Sequence, residues 1–164
     1  MIRPCTDADF SAIAAIINDA ASAYRGIIPE DCWHEPYMPD EELAEEIARG
    51  VRFSGFEEDG ALVGVMGVEP VRDVTLIRHA YVRTVRRGGG IGGALLQHLR
   101  DATETPILIG TWAAADWAVR FYEARGFRCV SHDEKEALLR TYWTVPDRQI
   151  ETSVVLVCER WQAG

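Results

Sequence analysis

No stretch of the chain approaches 18 consecutive apolar residues, so no transmembrane helix is expected. Cysteine is scarce. Cys5, Cys32, Cys129 and Cys158 form no C-x-x-C pair and match no zinc spacing. A chain of 164 residues can bury enough apolar surface to need no covalent staples, so the four are expected to be reduced and mostly structural. His34, His79, His98 and His132 make neither an H-x-x-x-H nor an H-E-x-x-H pattern, and no metal is expected. Positive charge is in deficit. The 17 lysines and arginines stand against 26 acids, a net charge of −9, which argues against non-specific binding to nucleic acid or an anionic membrane. Repeats, low-complexity tracts and linkers are also missing. The first residues lack the apolar stretch of a secretory signal, so a cytoplasmic protein is the default expectation. What is present, 48% apolar and 26% charged residues, suits one globular domain over residues 1–164.

Periodicity orders the elements. A strand is expected at Ile2–Cys5. Thr6 and Asp9 form an S/T-x-x-D/E cap before a helix that carries Phe10, Ile13, Ile16 and Ile17 and runs to about Tyr24. Residues 25–39, with three prolines and with Trp33, His34 and Tyr37, are a loop. Asp40 is expected to cap a second helix that ends at Gly50. Val51–Glu57 and Leu62–Glu69 flank an Asp59-Gly60 hairpin signal, and Val74–Val82 makes the next strand. Further on come a glycine-opened helix, a strand at Pro106–Thr111, a helix at Ala114–Ala124 and a strand at Phe127–Ser131. A short helix at 134–140, an irregular loop at 141–150 and an apolar strand at Thr152–Cys158 complete the chain. The order β-α-α-β-β-β-α-β-α-β-β predicts a mixed α/β fold around one sheet.

The most informative segment is Arg86-Arg87-Gly88-Gly89-Gly90-Ile91-Gly92-Gly93. Five glycines in six residues at a helix start let backbone N–H groups approach a ligand. The helix N-terminus adds unpaired donors and partial positive charge, so the segment can hold a phosphate or pyrophosphate. Arg86 and Arg87 are expected to add cationic side chains at its mouth. A Walker A loop is disfavoured because Ala94-Leu95 stand where Lys-Ser/Thr is needed. Gly88, Gly90 and Gly93 do spell G-x-G-x-x-G. Yet the following strand ends Ile109-Gly110-Thr111-Trp112 without the acid that a dinucleotide ribose requires.

Tyr81 to Leu96, containing Arg87-x-x-Gly90-x-Gly92, closely resembles the acyl-CoA-binding motif of the GNAT N-acetyltransferase superfamily. A second block, Ala118-Val119-Arg120-Phe121-Tyr122-Glu123-Ala124-Arg125-Gly126-Phe127, is similar to that superfamily's A-x-x-F/L-Y-E-x-x-G-F segment, and the opening Ile2–Asp9 also resembles its members. The resemblance runs from Ile2 to about Cys158. It implies a single GNAT-like domain with a mostly antiparallel sheet of about seven strands, splayed between the fourth and fifth, with helices on both faces. The chain departs from the pattern at Ala115, where an asparagine is frequent, and at Thr84, where a proline is usual. The strand that often carries a catalytic glutamate is Thr75-Leu76-Ile77-Arg78-His79-Ala80-Tyr81-Val82, without a carboxylate.

The same resemblance implies transfer of an acetyl group from acetyl-CoA, a co-substrate, to a primary amine of a small molecule or peptide, with no nucleic acid or membrane partner; a homodimer is left open. The cofactor-side residues are Val82, Arg87, Gly88, Gly89, Gly90, Ile91, Gly92, Gly93 and Tyr122. Backbone N–H groups near Val82 would polarise the carbonyl, and Tyr122 would protonate the departing thiolate. Chemistry sets the remaining need. An alkylamine is mostly protonated at pH 7 and must lose a proton before attack. Glu69, His79 or a water relay are the candidate bases. Because side chains alternate along a strand, only one of Arg78 and His79 is expected to face the cleft. Tyr24, Trp33, His34, Tyr37, Tyr142, Trp143 and Arg148 are expected near the acceptor, and the acidic charge mildly favours a cationic one. Two other functions fit parts of the pattern: an acyl-CoA-binding sensor without turnover, and a nicotinamide oxidoreductase.

Overall fold

A computed structural model describes residues 1–162. Seven strands form one sheet: β1 (Ile2–Pro4), β2 (Arg52–Glu58), β3 (Ala61–Val71), β4 (Val74–Val82), β5 (Ile107–Trp112), β6 (Arg128–Cys129) and β7 (Ser153–Val157), in the spatial order β1-β2-β3-β4-β5-β7-β6. Every neighbouring pair is antiparallel except β4 and β5. Asp59 and Gly60 both take positive φ, 53° and 80°, as a two-residue hairpin of the mirror-image type demands.

The helices are α1 (Phe10–Ala21), α2 (Asp40–Arg49), α3 (Ile91–Ala102), α4 (Asp116–Glu123), α5 (His132–Tyr142) and α6 (Asp147–Glu151). Strand alternation sends them to two faces. Met66, Ile77, Ile107, Ile109 and Leu156 meet Leu95, Leu96 and Leu99 of α3 and Tyr122 of α4. On the other face Phe53, Leu62 and Val65 meet Ile13, Ile16 and Ile17 of α1 and Leu43 of α2. Leu76, Leu108, Val155 and Val157 meet Leu138 and Leu139 of α5 on that same face.

Local sequence accounts for most element ends. The Thr6 N–H donates to the Asp9 carboxylate at 2.8 Å, but the turn it closes is a short 3-10 segment leading into α1. Pro39, not Asp40, occupies the N-cap of α2, and Asp40 is the first helical residue. Gly50 ends α2 at φ 128°. The helix expected from Ala114 begins at Asp116. The short helix expected at 134–140 is longer, with the Ser131 hydroxyl accepting from the Glu134 N–H. The expected loop 141–150 contains α6, started after Pro146, whose missing N–H costs a helix nothing at that end.

Two irregularities in β4 set up a crevice beside it. The strand pairs with β5 only through Thr75, Ile77 and the Leu76 between them; beyond that the two strands diverge and β4 continues against β3 alone. Its register on β3 also slips, because Val65 faces Tyr81 and Gly67 faces Arg78, so that two residues of β4, His79 and Ala80, oppose Met66. His79 takes φ 56°. An inserted residue of this kind is a β-bulge, which bends a strand and re-aims its side chains.

Candidate active site

The divergence of β4 and β5 opens a wedge. Aromatic side chains from three directions line it. Tyr24 comes from the 3-10 turn that follows α1, Tyr37 from the loop before α2, Tyr81 from β4 and Trp112 from β5. The Trp112 Nε1–H donates to the Tyr37 hydroxyl at 2.8 Å, and the Tyr24 ring packs on those of Tyr37, Tyr81 and Trp117. Burial pushes the Tyr24 and Tyr37 phenols above their ordinary pKa, so both remain neutral donors at physiological pH.

A cavity of about 390 Å³ lies on the α3–α4 side of the wedge, lined by Val82, Arg87, Gly88, Gly92, Phe121 and Tyr122 among others. Gly88 and Gly90 stand at φ 80° and 79°, backbone shapes that L side chains rarely adopt, and a Cβ at either would meet no atom within 4 Å. The space above the loop is therefore open, and the unbonded N–H groups of the first turn of α3 are at its floor. The nine expected residues divide here. Val82, Arg87, Gly88, Gly92 and Tyr122 line the cavity, and Gly89 and Gly90 carry the turn above the helix. The Ile91 side chain is instead buried in the core as the anchor of α3, and Gly93 is backed by the Arg125 guanidinium. Arg86 turns away to Glu58, at 2.6 Å, and does not share the loop mouth with Arg87. Arg87 donates to the Ala20 carbonyl at 3.2 Å, which ties the loop to α1.

Tyr122 is 6% exposed, and burial raises its phenol pKa well above the ordinary value. No buried polar side-chain atom among the described residues lacks a partner. The Tyr122 hydroxyl makes no hydrogen bond to them, so it opens onto the cavity. Thr84 donates through its N–H to Asp19 at 2.8 Å, fastening the turn after β4 to α1. Ala115 is fully buried against Ala21, Tyr24 and Ile28.

A second space, about 110 Å³, lies deeper in the wedge and includes Tyr24, Tyr81, His79 and Trp143 in its lining. It continues into an outer cavity of about 470 Å³ that shares Tyr37, Arg78, His79 and Trp112 with it and reaches His34 and Arg148. Tyr24 and Tyr81 line both the α3–α4 cavity and the wedge, so the two spaces meet at this pair. Trp33 packs tilted against Tyr37 without lining either space, and Tyr142 is directed to Asp73, donating at 2.7 Å.

The bulge overturns the expectation that Arg78 and His79 face opposite ways. Both reach the same carboxylate. Arg78 Nη2 donates to Glu46 Oε1 at 2.7 Å, and His79 Nε2 lies 2.8 and 3.0 Å from the two Glu46 oxygens. Glu69 is 7% exposed and occupied by two arginines, Arg49 Nε at 3.0 Å and Arg78 Nη1 at 3.2 Å. It lines neither the wedge nor the outer cavity, so of the two candidate bases only His79 borders them. Glu46 escapes sequence reasoning because α2 has five carboxylates and a charged outer face. One signal exists: Glu46 falls three residues after Leu43, on the buried stripe.

Comparison with known proteins places this geometry. A model of the acetyltransferase (GNAT) domain matches residues 13–141. The solved structure of PaiA N-acetyltransferase from Thermoplasma acidophilum, in complex with coenzyme A, is 17% identical, with TM-score 0.72 over 96% of this chain and 97% of that one. A GNAT-family acetyltransferase from Staphylococcus aureus is 18% identical, with TM-score 0.70 over 96% and 97%. N-acetylglutamate synthase from Neisseria gonorrhoeae, complexed with coenzyme A and N-acetyl-glutamate, is 23% identical with TM-score 0.66. It covers 99% of this chain but 35% of its own. No curated protein matches the sequence.

Proposed function

Because the chain belongs to the GNAT acetyltransferase family, we propose that it transfers an acetyl group from acetyl-CoA to a primary amine by direct attack in the wedge between β4 and β5. One observation carries the reading. The cavity above the glycine loop and the wedge meet at Tyr24 and Tyr81, with Tyr122 on the first side and His79 on the second. An acyl donor and an amine entering from opposite sides would come together at that pair, with a proton donor beside the sulfur and a proton acceptor beside the nitrogen.

The roles follow from charge flow. The pyrophosphate of acetyl-CoA accepts hydrogen bonds from the N–H groups at the start of α3, with Arg87 adding charge. The ammonium of the acceptor gives one proton to His79, and the freed lone pair attacks the thioester carbonyl carbon. Negative charge collects on the carbonyl oxygen, where backbone N–H groups of β4 near Val82 stabilise it. The C–N bond forms, the C–S bond breaks, and the nitrogen sheds its second proton to solvent. Tyr122 protonates the thiolate and regains a proton from solvent. The net products are an amide, free CoA and one proton.

The experiment is a panel of an alkylamine, a diamine, several amino acids and a short peptide, each incubated with acetyl-CoA while free thiol is followed. Amine-dependent thiol release and an acetylated product of the expected mass support the reading. Binding of acetyl-CoA with no turnover on any amine would replace it with a sensor.

A further inference from the structure

We infer that Glu46 is the positioning residue of the base, fixing the His79 ring so that Nδ1 is the nitrogen that takes the acceptor's proton. This rests on the proposed transfer reaction, but its evidence is separate. A carboxylate can only accept, so with Glu46 at 2.8 and 3.0 Å, His79 Nε2 must carry a hydrogen. In the neutral ring the lone pair is then on Nδ1. Nδ1 has no hydrogen bond to any described residue, and no buried polar side-chain atom among them is unsatisfied. It therefore opens into free space, and His79 borders the wedge and the outer cavity. The ring is also held from its faces, 6.2 Å from Phe53 and 6.3 Å from Tyr81 between ring centres, both nearly parallel.

The surrounding charges explain why such a pair is a base and not a fixed ion pair. From α2 come Glu46 and Arg49; from β3, Glu69; from β4, Arg78. These two carboxylates and two guanidiniums cancel when His79 is neutral. The Tyr81 phenol beside the ring is neutral too. Farther out, Glu42 and Glu45 of α2 share the cavity with Asp31, which Arg148 holds at 2.8 Å, and with His34. Burial alone would raise the Glu46 pKa. The hydrogen bond from His79 and the charges of Arg78 and Arg49 outweigh it, so Glu46 stays ionised. When Nδ1 takes a proton, the imidazolium forms against a carboxylate already in contact with Nε2–H and needs no rearrangement. The proton then leaves through the outer cavity to water. The bulge makes this possible, because a regular strand would point either Arg78 or His79 away from Glu46.

The test begins without any acceptor. Protein labelled with ¹⁵N-histidine, with the His79 signals assigned by their loss in His79→Gln, should show the Nε2–H tautomer of the neutral ring. A predominant Nδ1–H tautomer overturns the inference. With the best acceptor of the amine panel, Glu46→Gln should lower kcat roughly 10- to 100-fold. The KM for acetyl-CoA should hold within about twofold, and the acidic limb of kcat/KM for the amine should move to lower pH by about one pH unit or more. Glu46→Asp keeps the charge and should recover part of kcat and return the limb toward its original position. It also serves if Glu46→Gln binds acetyl-CoA poorly or melts early. A Glu46→Gln enzyme with wild-type kcat and an unmoved limb overturns the positioning role. If His79→Gln itself keeps wild-type kcat, the assignment of the base fails, independently of Glu46.

Discussion

Gly90→Val gives the most direct test of the loop above α3. Gly90 stands at φ 79° as the N-cap of the helix, and its carbonyl accepts the Ala94 N–H at 3.0 Å. Valine has one main penalty here, because the position is open: no atom lies within 4 Å of the Cβ it would add. Holding a non-glycine residue in the left-handed region costs roughly 1–3 kcal/mol, with β-branched residues at the upper end. The variant has two courses. The loop keeps its shape, and the protein loses that much stability, about 2–10 °C in Tm for a domain of this size. The new methyls then occupy the open space where a pyrophosphate would sit. Otherwise the loop relaxes to negative φ, and the first N–H groups of α3 no longer converge. Both courses weaken acetyl-CoA binding by at least tenfold, about 1.4 kcal/mol. Gly89 is the control, since its φ is not in the left-handed region and its Cβ would meet the Arg86 carbonyl at an ordinary 3.5 Å. Gly89→Ala should stay within about threefold of wild type. Calorimetric titration with acetyl-CoA, beside circular dichroism for the fold, measures both. A folded Gly90→Val protein with unchanged affinity would refute the assignment of this loop to the cofactor.

Further outcomes are expected from other parts of the molecule. Tyr122→Phe should lower kcat on the order of 10–100-fold with little change in acetyl-CoA affinity, because the ring still packs against Phe121 and Phe127; a kcat within twofold of wild type, measured where chemistry limits turnover, returns Tyr122 to a packing role. Asp9 is held down to about 2 by its hydrogen bonds from Arg3 and from the Thr6 N–H. A depressed carboxylate stabilises the fold above its unfolded value near 4, and the contribution is lost as pH falls from about 4 toward 2. Asp9→Asn should therefore flatten the decline of Tm across that window, and a decline as steep as in wild type would show that this pair does not matter. Leu95 is fully buried between α3 and the sheet, so Leu95→Ala should cost about 2–5 kcal/mol in denaturant unfolding; a loss under 1 kcal/mol would mean that the site collapses around the smaller side chain.

The parts of the fold legible in the sequence are those whose cause is local. Val74–Val82 has the expected bounds because a turn precedes it and glycines come after it. The positive φ of Asp59 and Gly60 is local turn chemistry, and the loop glycines announce themselves by type and number. Where a cause lay elsewhere in the chain, prediction slipped. The α5 segment is rich in charge, and its pattern looks too polar for a long helix. In the fold Lys135 is buried and its ammonium donates to the Ile150 carbonyl at 2.7 Å, a partner 15 residues away. Arg86 sits beside Arg87 in sequence, yet Glu58 claims it across the hairpin. At the site, strand alternation fails at His79 because a bulge depends on how β3 and β4 align, which a period of two cannot encode. Glu46 is 33 residues from His79, on another element, and only the fold brings them together.

Splay and bulge are two halves of one arrangement. A strand hydrogen-bonded on both edges has no edge to offer a substrate, and its side chains are committed to the two packed faces. In β4 the first half meets that description: Val74, Thr75, Leu76 and Ile77 are all buried, with β3 on one edge and β5 on the other. From Arg78 onward every residue is half-buried, and β5 has departed. The lost ladder would leave unpaired backbone in a dry crevice, which is costly, unless something polar can enter. The wedge is accordingly lined by tyrosine hydroxyls, an indole N–H and an imidazole, not by aliphatic side chains alone. The bulge then acts within this freed half. By inserting one residue it brings His79 round to join Arg78 at the α2 carboxylate, while Tyr81 and Val82 still border the cavity on the α3–α4 side. Straightening the strand would restore regular pairing to β3, but it would turn either Arg78 or His79 away from Glu46 and leave a buried charge without its partner. The strained φ at His79 is thus held in place by the ion network around it, and that network in turn requires the strain.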